Sequence, residues 1–153
     1  MLTLGDLVNS MEIRSAKPSD AMEIRAFDEI DQVDASRVAF IEGSIKSNRC
    51  FVAAIDGRVV GYGVLNYRFY EHGFIDMVYV NRKFRRRGIG SALVRHMEQN
   101  CKTAKLFTST NRSNKPMQAL LDKLGYQPSG VIENLDEGDP ELVYVKRVRI
   151  DAV

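Results

Sequence analysis

The chain has 153 residues, 44% hydrophobic and 27% charged, with 22 Lys and Arg against 20 Asp and Glu for a net charge of +2. That length suits one globular domain, and the near-balance of charge argues against a nucleic-acid partner. No apolar stretch approaches the roughly 20 residues of a membrane span, so no membrane partner is expected.

Residues 1–10 lack the positive n-region and the cleavage-like site of a secretory signal and are expected to form a leader, with one domain over residues 11–153. Residues 11–16 suggest a first strand, and Pro18-Ser19-Asp20 opens a helix that turns Ala21, Ile24 and Phe27 inward. A second helix is expected over residues 34–46, with Val38, Ile41 and Ile45 on one face. Strands at 50–55 and 59–67 flank Asp56-Gly57-Arg58, a hairpin signal. After Glu71-His72-Gly73, residues 74–80 are almost wholly apolar, as in a central strand covered on both faces. Asp76 is the lone carboxylate within it. Cys50 and Cys101 are too few and too far apart for a disulfide framework or a metal site, so both read as buried thiols of a cytoplasmic protein. His72 and His96 read as surface or partly buried residues.

The most informative run is Arg85-Arg86-Arg87-Gly88-Ile89-Gly90-Ser91, because Ile89, Ala92, Leu93, Met97 and Cys101 then recur at helical spacing. A strand, a basic turn and a helix N-terminus make an anion site: the first N–H groups of a helix lack partners, and glycines let a ligand approach the backbone. The alternative is a solvated charged turn. Neither the Walker pattern nor the three-glycine dinucleotide fingerprint occurs, which disfavours ATP and NAD. A strand at 105–110 follows, then a helix on Met117, Leu120, Leu121 and Leu124, with Asn114 as N-cap, Pro116 in its first turn and Gly125 as its stop. Strands near 131–134 and 142–148 close the chain.

Arg85-x-x-Gly88-x-Gly90, with the block from Asn114 to Leu124-Gly125-Tyr126, resembles the GNAT family of N-acetyltransferases. The family signature is Gln/Arg-x-x-Gly-x-Gly/Ala between the fourth strand and the third helix. The resemblance implies an α/β (α+β) single-domain acyl-CoA acyltransferase fold, with a mixed, largely antiparallel sheet and helices on both faces. It further implies that backbone N–H groups of the turn, over Arg85, Arg86, Arg87, Gly88, Ile89, Gly90 and Ser91, bind the pyrophosphate of acetyl-CoA. The strand at Val78, Tyr79 and Val80 would splay at a bulge and pair with the pantetheine arm, a backbone N–H near Val78 would polarise the thioester, and Asn114 would hydrogen-bond the arm. No metal is implied.

Many members carry a tyrosine seven residues after that asparagine, as the acid that protonates the departing thiolate; this chain has Leu121. Asp76 is the candidate base, its proton affinity raised by burial, or else a hydrogen-bonded structural residue or one at the strand's edge. Acidic residues Asp28, Glu29, Asp31 and Asp34, and Glu133, Asp136, Glu137, Asp139 and Glu141, fall in regions that line family acceptor clefts, and favour a small cationic amine or a peptide or protein amine unless they are solvated turn charges. An N-acetyltransferase acting in a ternary complex is thus expected. A CoA-binding sensor that has lost chemistry, motivated by Leu121, is the alternative. A nucleic-acid role for Arg82, Lys83 and the arginine run is disfavoured by charge, and the sequence leaves monomer and homodimer open.

Overall fold

The computed structural model describes Thr3, residues 10–28 and residues 34–150. In chain order the elements are β1 (Met11–Ser15), α1 (Ala21–Phe27), α2 (Ala35–Lys46), β2 (Cys50–Ile55), β3 (Arg58–Phe69), β4 (His72–Val80), α3 (Ile89–Asn100), β5 (Lys105–Asn111), α4 (Lys115–Lys123), β6 (Gln127–Ile132) and β7 (Glu141–Arg147). The seven strands lie in the order β1-β2-β3-β4-β5-β7-β6. β4 and β5 pair in parallel, whereas β1–β2, β2–β3, β5–β7 and β6–β7 are antiparallel. The mixed, largely antiparallel sheet matches the fold expected from sequence. No described helix is long and apolar enough to cross a membrane. The chain falls into two compact units, Met1–Val64 with Met77–Met97, and Leu65–Asp76 with Glu98–Val153.

In the first unit, alternation along β3 decides what packs where. Tyr62 and Val64 point into a cluster with Ile24 of α1 and Ile41 and Ile45 of α2, all at 7% exposure or less. Each large aliphatic side chain so buried contributes about 1.5–3 kcal/mol. Gly61 and Gly63, on the opposite face, receive α3: a Cβ on Gly61 would lie 3.3 Å from Ile89 Cγ2 and Leu93 Cδ1 and 3.1 Å from the Tyr79 carbonyl oxygen. A Cβ on Gly63 would lie 2.7 Å from Met97 Cε. The β2–β3 turn forms where Asp56-Gly57 signalled it, both residues being left-handed at φ 50° and 79°. The β3–β4 turn is Tyr70-Glu71, also left-handed at 51° and 64°, where neither Gly nor Asn advertises it. Before α1, the Asp20 carboxylate is buried and held by Arg14 at 2.7 and 3.0 Å and by the Lys17 N–H at 2.7 Å.

In the second unit, β7 joins β5 on one side and β6 on the other. α4 starts where Asn114 Oδ1 accepts the Met117 N–H at 3.1 Å and stops at Gly125, φ 88°, with Tyr126 N–H returning to the Leu121 carbonyl. Tyr126 donates to Glu98 at 2.9 Å, and Lys146 pairs with the same carboxylate at 3.0 Å. β6 departs from expectation: it runs over Gln127–Ile132 rather than 131–134, exposed at every position, with a register shift between Pro128 and Gly130. An edge strand tolerates the proline and the bulge that hid it. Cys50 and Cys101 are free and buried, and burial pushes the Cys50 thiol up to about 12.

The α3 contact sets the first test. Gly61→Val should overpack the interface and cost about 1–3 kcal/mol in urea unfolding. Gly43→Ala, in α2 with no atom within 4 Å of the new methyl, should stabilise by about 0.5–1 kcal/mol. A Gly61→Val midpoint equal to that of the parent would rule out close packing of α3 on β3.

Candidate functional site

β4 pairs with β5 only at Gly73, Phe74 and Ile75. The strand then continues to Val80, and Met77, Val78, Tyr79 and Val80 are half-buried. β4 is thus not covered on both faces as its apolar sequence suggested, and its apolar character serves a half-open stretch. At its end Asn81 N–H bonds to the Val60 carbonyl at 2.7 Å, and Asn81 Oδ1 accepts the Lys83 N–H at 3.1 Å, capping a short 3-10 turn over Arg82–Phe84.

The chain next enters the basic turn. Arg86 and Gly88 are left-handed, at φ 66° and 80°. Ala92 N–H bonds to the Gly88 carbonyl at 3.0 Å, so Gly88 is the residue from which α3 starts. The N–H groups of Gly88, Ile89, Gly90 and Ser91 therefore have no acceptor within the helix, and the helix dipole places partial positive charge there. Gly88 is exposed, with no atom within 4 Å of the position a Cβ would take. Ile89 is at 2% exposure, anchoring the turn to the core.

The arginines are not three equivalent forks. Arg85 Nε donates to the Val80 carbonyl at 3.0 Å, and its guanidinium stands 5.2 Å from the Tyr79 ring centre. Arg87 lies over Phe84 at 5.3 Å. Arg86 is exposed. Two of the three thus brace the turn against its own aromatic residues.

Asp76 is exposed rather than buried, and its Oδ2 accepts from Asn66 Nδ2 at 3.1 Å. The burial expected to tune it is absent because alternation along β4 turns Ile75 inward and Asp76 outward. Asn114 caps α4 through its side-chain oxygen. Leu121 is a fully buried residue of α4. Tyr126 does not replace the missing hydroxyl, because its own is bonded to Glu98, and burial, then that carboxylate, hold it far above the ordinary phenol range.

The acidic clusters are also mostly committed. Asp28, expected among solvated or acceptor-facing charges, is fully buried and accepts from Tyr62 Oη at 2.6 Å and Arg37 Nε at 2.9 Å. Asp34 caps α2 through Ser36, and Glu29 and Asp31 lie outside the described residues. Asp136 accepts from Asn111 at 2.9 Å, and Asp139 from the Ser113 N–H at 3.0 Å. Glu133 and Glu137 remain exposed. Among the described residues no group of three His, Cys, Asp or Glu side chains could hold a metal ion.

The buried Asp28–Tyr62–Arg37 group escapes a reading of the sequence, yet a signal is present: Asp28 follows Ile24 by one helical turn and so continues the inward stripe of α1. Phe27 and Tyr62 flank Tyr79 at 6.3 and 6.2 Å between ring centres, and Arg37 lies 5.9 Å from it.

A comparison with curated proteins finds no sequence match. The profile of the acetyltransferase (GNAT) family matches residues 17–126. A GNAT-family acetyltransferase from Bacillus cereus is 34% identical, with 90% of this chain and 96% of that one aligned at a TM-score of 0.83. YncA from Salmonella typhimurium, solved with its cofactor acetyl-CoA, shares the fold at 18% identity, with coverage of 95% and 98% and a TM-score of 0.75. The ribosomal-protein-S18-alanine N-acetyltransferase of Escherichia coli shares it at 16%, with coverage of 93% and 96% and a TM-score of 0.73. The family profile and the Bacillus cereus relative together establish that the chain belongs to the GNAT family of acetyltransferases.

Proposed function

We propose that the chain transfers the acetyl group of acetyl-CoA to a primary amine by direct attack within a ternary complex. The observation that carries this reading is the exposed turn at Gly88, which opens α3 with unpartnered N–H groups directly after a half-open β4. YncA, with acetyl-CoA in its structure, supports the choice of donor.

The N–H groups of Gly88, Ile89, Gly90 and Ser91 suit the pyrophosphate, with Arg86 free to add a guanidinium and Arg85 and Arg87 fixing the turn's shape. The β4 backbone at Val78, Tyr79 and Val80 suits strand-like pairing with the pantetheine arm, and an N–H there would polarise the thioester carbonyl. Asn114 is proposed to reach the arm through its amide nitrogen while its oxygen keeps the cap.

The acceptor nitrogen, with a pKa of about 10.4 for a lysine-like amine, must lose a proton before it attacks. Asp76, exposed and held by Asn66 through one oxygen, is proposed to relay that proton to solvent. Attack forms the C–N bond and breaks the C–S bond, and the thiolate, whose conjugate thiol has a pKa of about 8.5, takes up a proton from water or from the acceptor nitrogen. The acceptor is proposed to be a small amine or a peptide amine, as in the Escherichia coli enzyme named for an alanine of ribosomal protein S18. The exposed Glu133 and Glu137 would favour a cation. The two buried thiols support a cytoplasmic location.

Gly88→Asp should weaken acetyl-CoA binding by more than about tenfold in calorimetry, through repulsion at the helix N-terminus, while strain at a positive φ costs only about 1 kcal/mol of stability. Unchanged affinity would remove the turn from the site. For Asp76→Asn, the ratio of parent to variant rate should be largest at low pH and shrink as pH approaches the pKa of the amine; a pH-independent ratio would exclude Asp76 from proton transfer. The buried Leu121 favours one second reading, a CoA-binding sensor. Thiol release from acetyl-CoA across a panel of amines and peptides supports the transferase, and CoA binding with no release across that panel supports the sensor.

A further inference from the structure

The sheet of the second unit presents one face whose chemistry changes sign from end to end. β7 pairs with β5 without a bulge, so Glu141, Val143, Val145 and Arg147 share a face with Asn111, Ser109, Phe107 and Lys105, their register partners. Phe74 of β4 lies beside Phe107, and Ile132 of β6 beside Glu141, on the same face. The opposite face is interior: Leu106, Thr108 and Tyr144 are at 5% exposure or less. On the first face Phe74, Phe107 and Val145 are only half-buried, Lys105 and Arg147 are exposed, and Val143 is buried at the middle. Phe69 stacks against Phe74 at 5.1 Å and lies tilted against Phe107 at 5.0 Å, extending the apolar centre.

At one end Lys105 and Arg147 sit directly opposite each other, with no carboxylate within ion-pair distance of either among the described residues. Like charges so placed repel. A cleft of about 420 Å³, lined by Lys105, Val145 and Arg147 among others, opens beside them. At the other end, Glu141 is held above the usual carboxylate range by burial, then by Asp136 and Asp139, and Ile132 beside it is 43% exposed. Among the described residues no ion pair offsets the charge at either end, and the ends are six residues apart on β7, about 20 Å.

We propose that this face binds a second copy of the chain about a two-fold axis lying between the two sheets and perpendicular to the strands, so that Lys105 and Arg147 of each copy meet Glu141 of the partner subunit. The axis passes between the Phe107–Val145 row and the Ser109–Val143 row, and rotation about it exchanges the basic and acidic ends. It also seats Phe107 of each copy on the small Ser109 position of the other, and Val145 on the Val143 position. Two sheets packed face to face with their strands roughly aligned is a favoured geometry. Self-complementarity of one patch is what a two-fold interface requires. The proposal does not depend on the acetyl-transfer reading.

Sedimentation velocity tests it by charge exchange. The parent chain should be a dimer at tens of micromolar. Lys105→Glu with Arg147→Glu, and separately Glu141→Arg, should each weaken association by about a hundredfold and give monomers. The first variant swaps one like-charged pair for another, so its fold should be retained in circular dichroism, with the unfolding midpoint lowered only by the lost dimer linkage. Mixing the two variants should restore a dimer, because in the mixed pair both reversed contacts are complementary again. A monomeric parent, a dimer indifferent to both replacements, or no heterodimer on mixing would each overturn the proposal. If a variant fails to fold, carbodiimide cross-linking of the parent decides: a Lys105–Glu141 cross-link in the dimer band supports the interface, and a dimer without it overturns the interface.

Discussion

The close approach of α3 to β3 over Gly61 and Gly63 is the constraint on which the candidate site depends. A helix usually packs on a sheet through a layer of side chains, but here two positions on one face of β3 have none, and Ile89, Leu93 and Met97 fill the space. Ile89 is the first residue of α3, so the contact that seats the helix also fixes where the N–H groups from Gly88 to Ser91 begin. The Tyr79 carbonyl lies against the same glycine, 3.1 Å from where a Cβ would stand. One pair of missing side chains therefore ties together β3, the open stretch of β4 and the start of α3. An anion site made of backbone groups needs that rigidity, since no side-chain rotamer can correct a misplaced N–H.

The opposite face of β3 supplies another anchor. Asp28, Tyr62 and Arg37 form a buried hydrogen-bonded ion pair, with Arg37 at 14% and Asp28 at 0% side-chain exposure. Such a pair contributes little net stability, because desolvation offsets attraction, yet removing either partner strands a buried charge and costs about 3–5 kcal/mol. Its effect is positional: α1, α2 and β3 are held in one geometry around Tyr79, whose ring also bears on Arg85 of the turn. The arginine run thus divides its labour. Arg85 and Arg87 commit their planar groups to Tyr79 and Phe84, whereas Arg86, exposed and itself left-handed, has no such ring contact among the described residues.

The fold is legible in the sequence wherever a pattern has a local cause. The 3.6 periodicity after Gly88 marks α3, Asp56-Gly57 marks the β2–β3 turn, and Asn114 with Gly125 marks the ends of α4. What escapes depends on partners distant in sequence. The apolar run of β4 reads as a strand buried on both faces, because composition does not say that its β5 neighbour leaves after Ile75. β6 reads as shorter and later than it is because Pro128 and Gly130 weigh against a strand, although an edge position tolerates both. Asp28 and Asp76 exchange the environments expected of them: Asp28 has the sequence context of a turn charge and is buried, whereas Asp76 has the context of a buried carboxylate and is exposed. Asp28 offers only its place one turn after Ile24, and Asp76 only its apolar neighbours along the strand, so the assembled partners decide which of them is buried.

The distribution of hydroxyl groups bears on the chemistry more than the loss of any single tyrosine. Tyr62 and Tyr126 both donate to carboxylates in buried settings, where burial first and the carboxylate after it raise their proton affinity. A phenol so held is a poor acid, since its anion would face a further negative charge. Leu121, with no exposure, closes the position from which family members offer a hydroxyl. Tyr62 and Tyr126 thus serve structure, and the proposed transfer draws its acid for the departing thiolate from the solvent side or from the acceptor itself. An acylated ammonium is a far stronger acid than an alkyl thiol, so proton transfer from nitrogen to the thiolate runs downhill without a dedicated residue. In the proposed transfer the demanding proton is then the first one, removed from the amine before attack, and the exposed carboxylate of Asp76 offers an open side on which to pass it on.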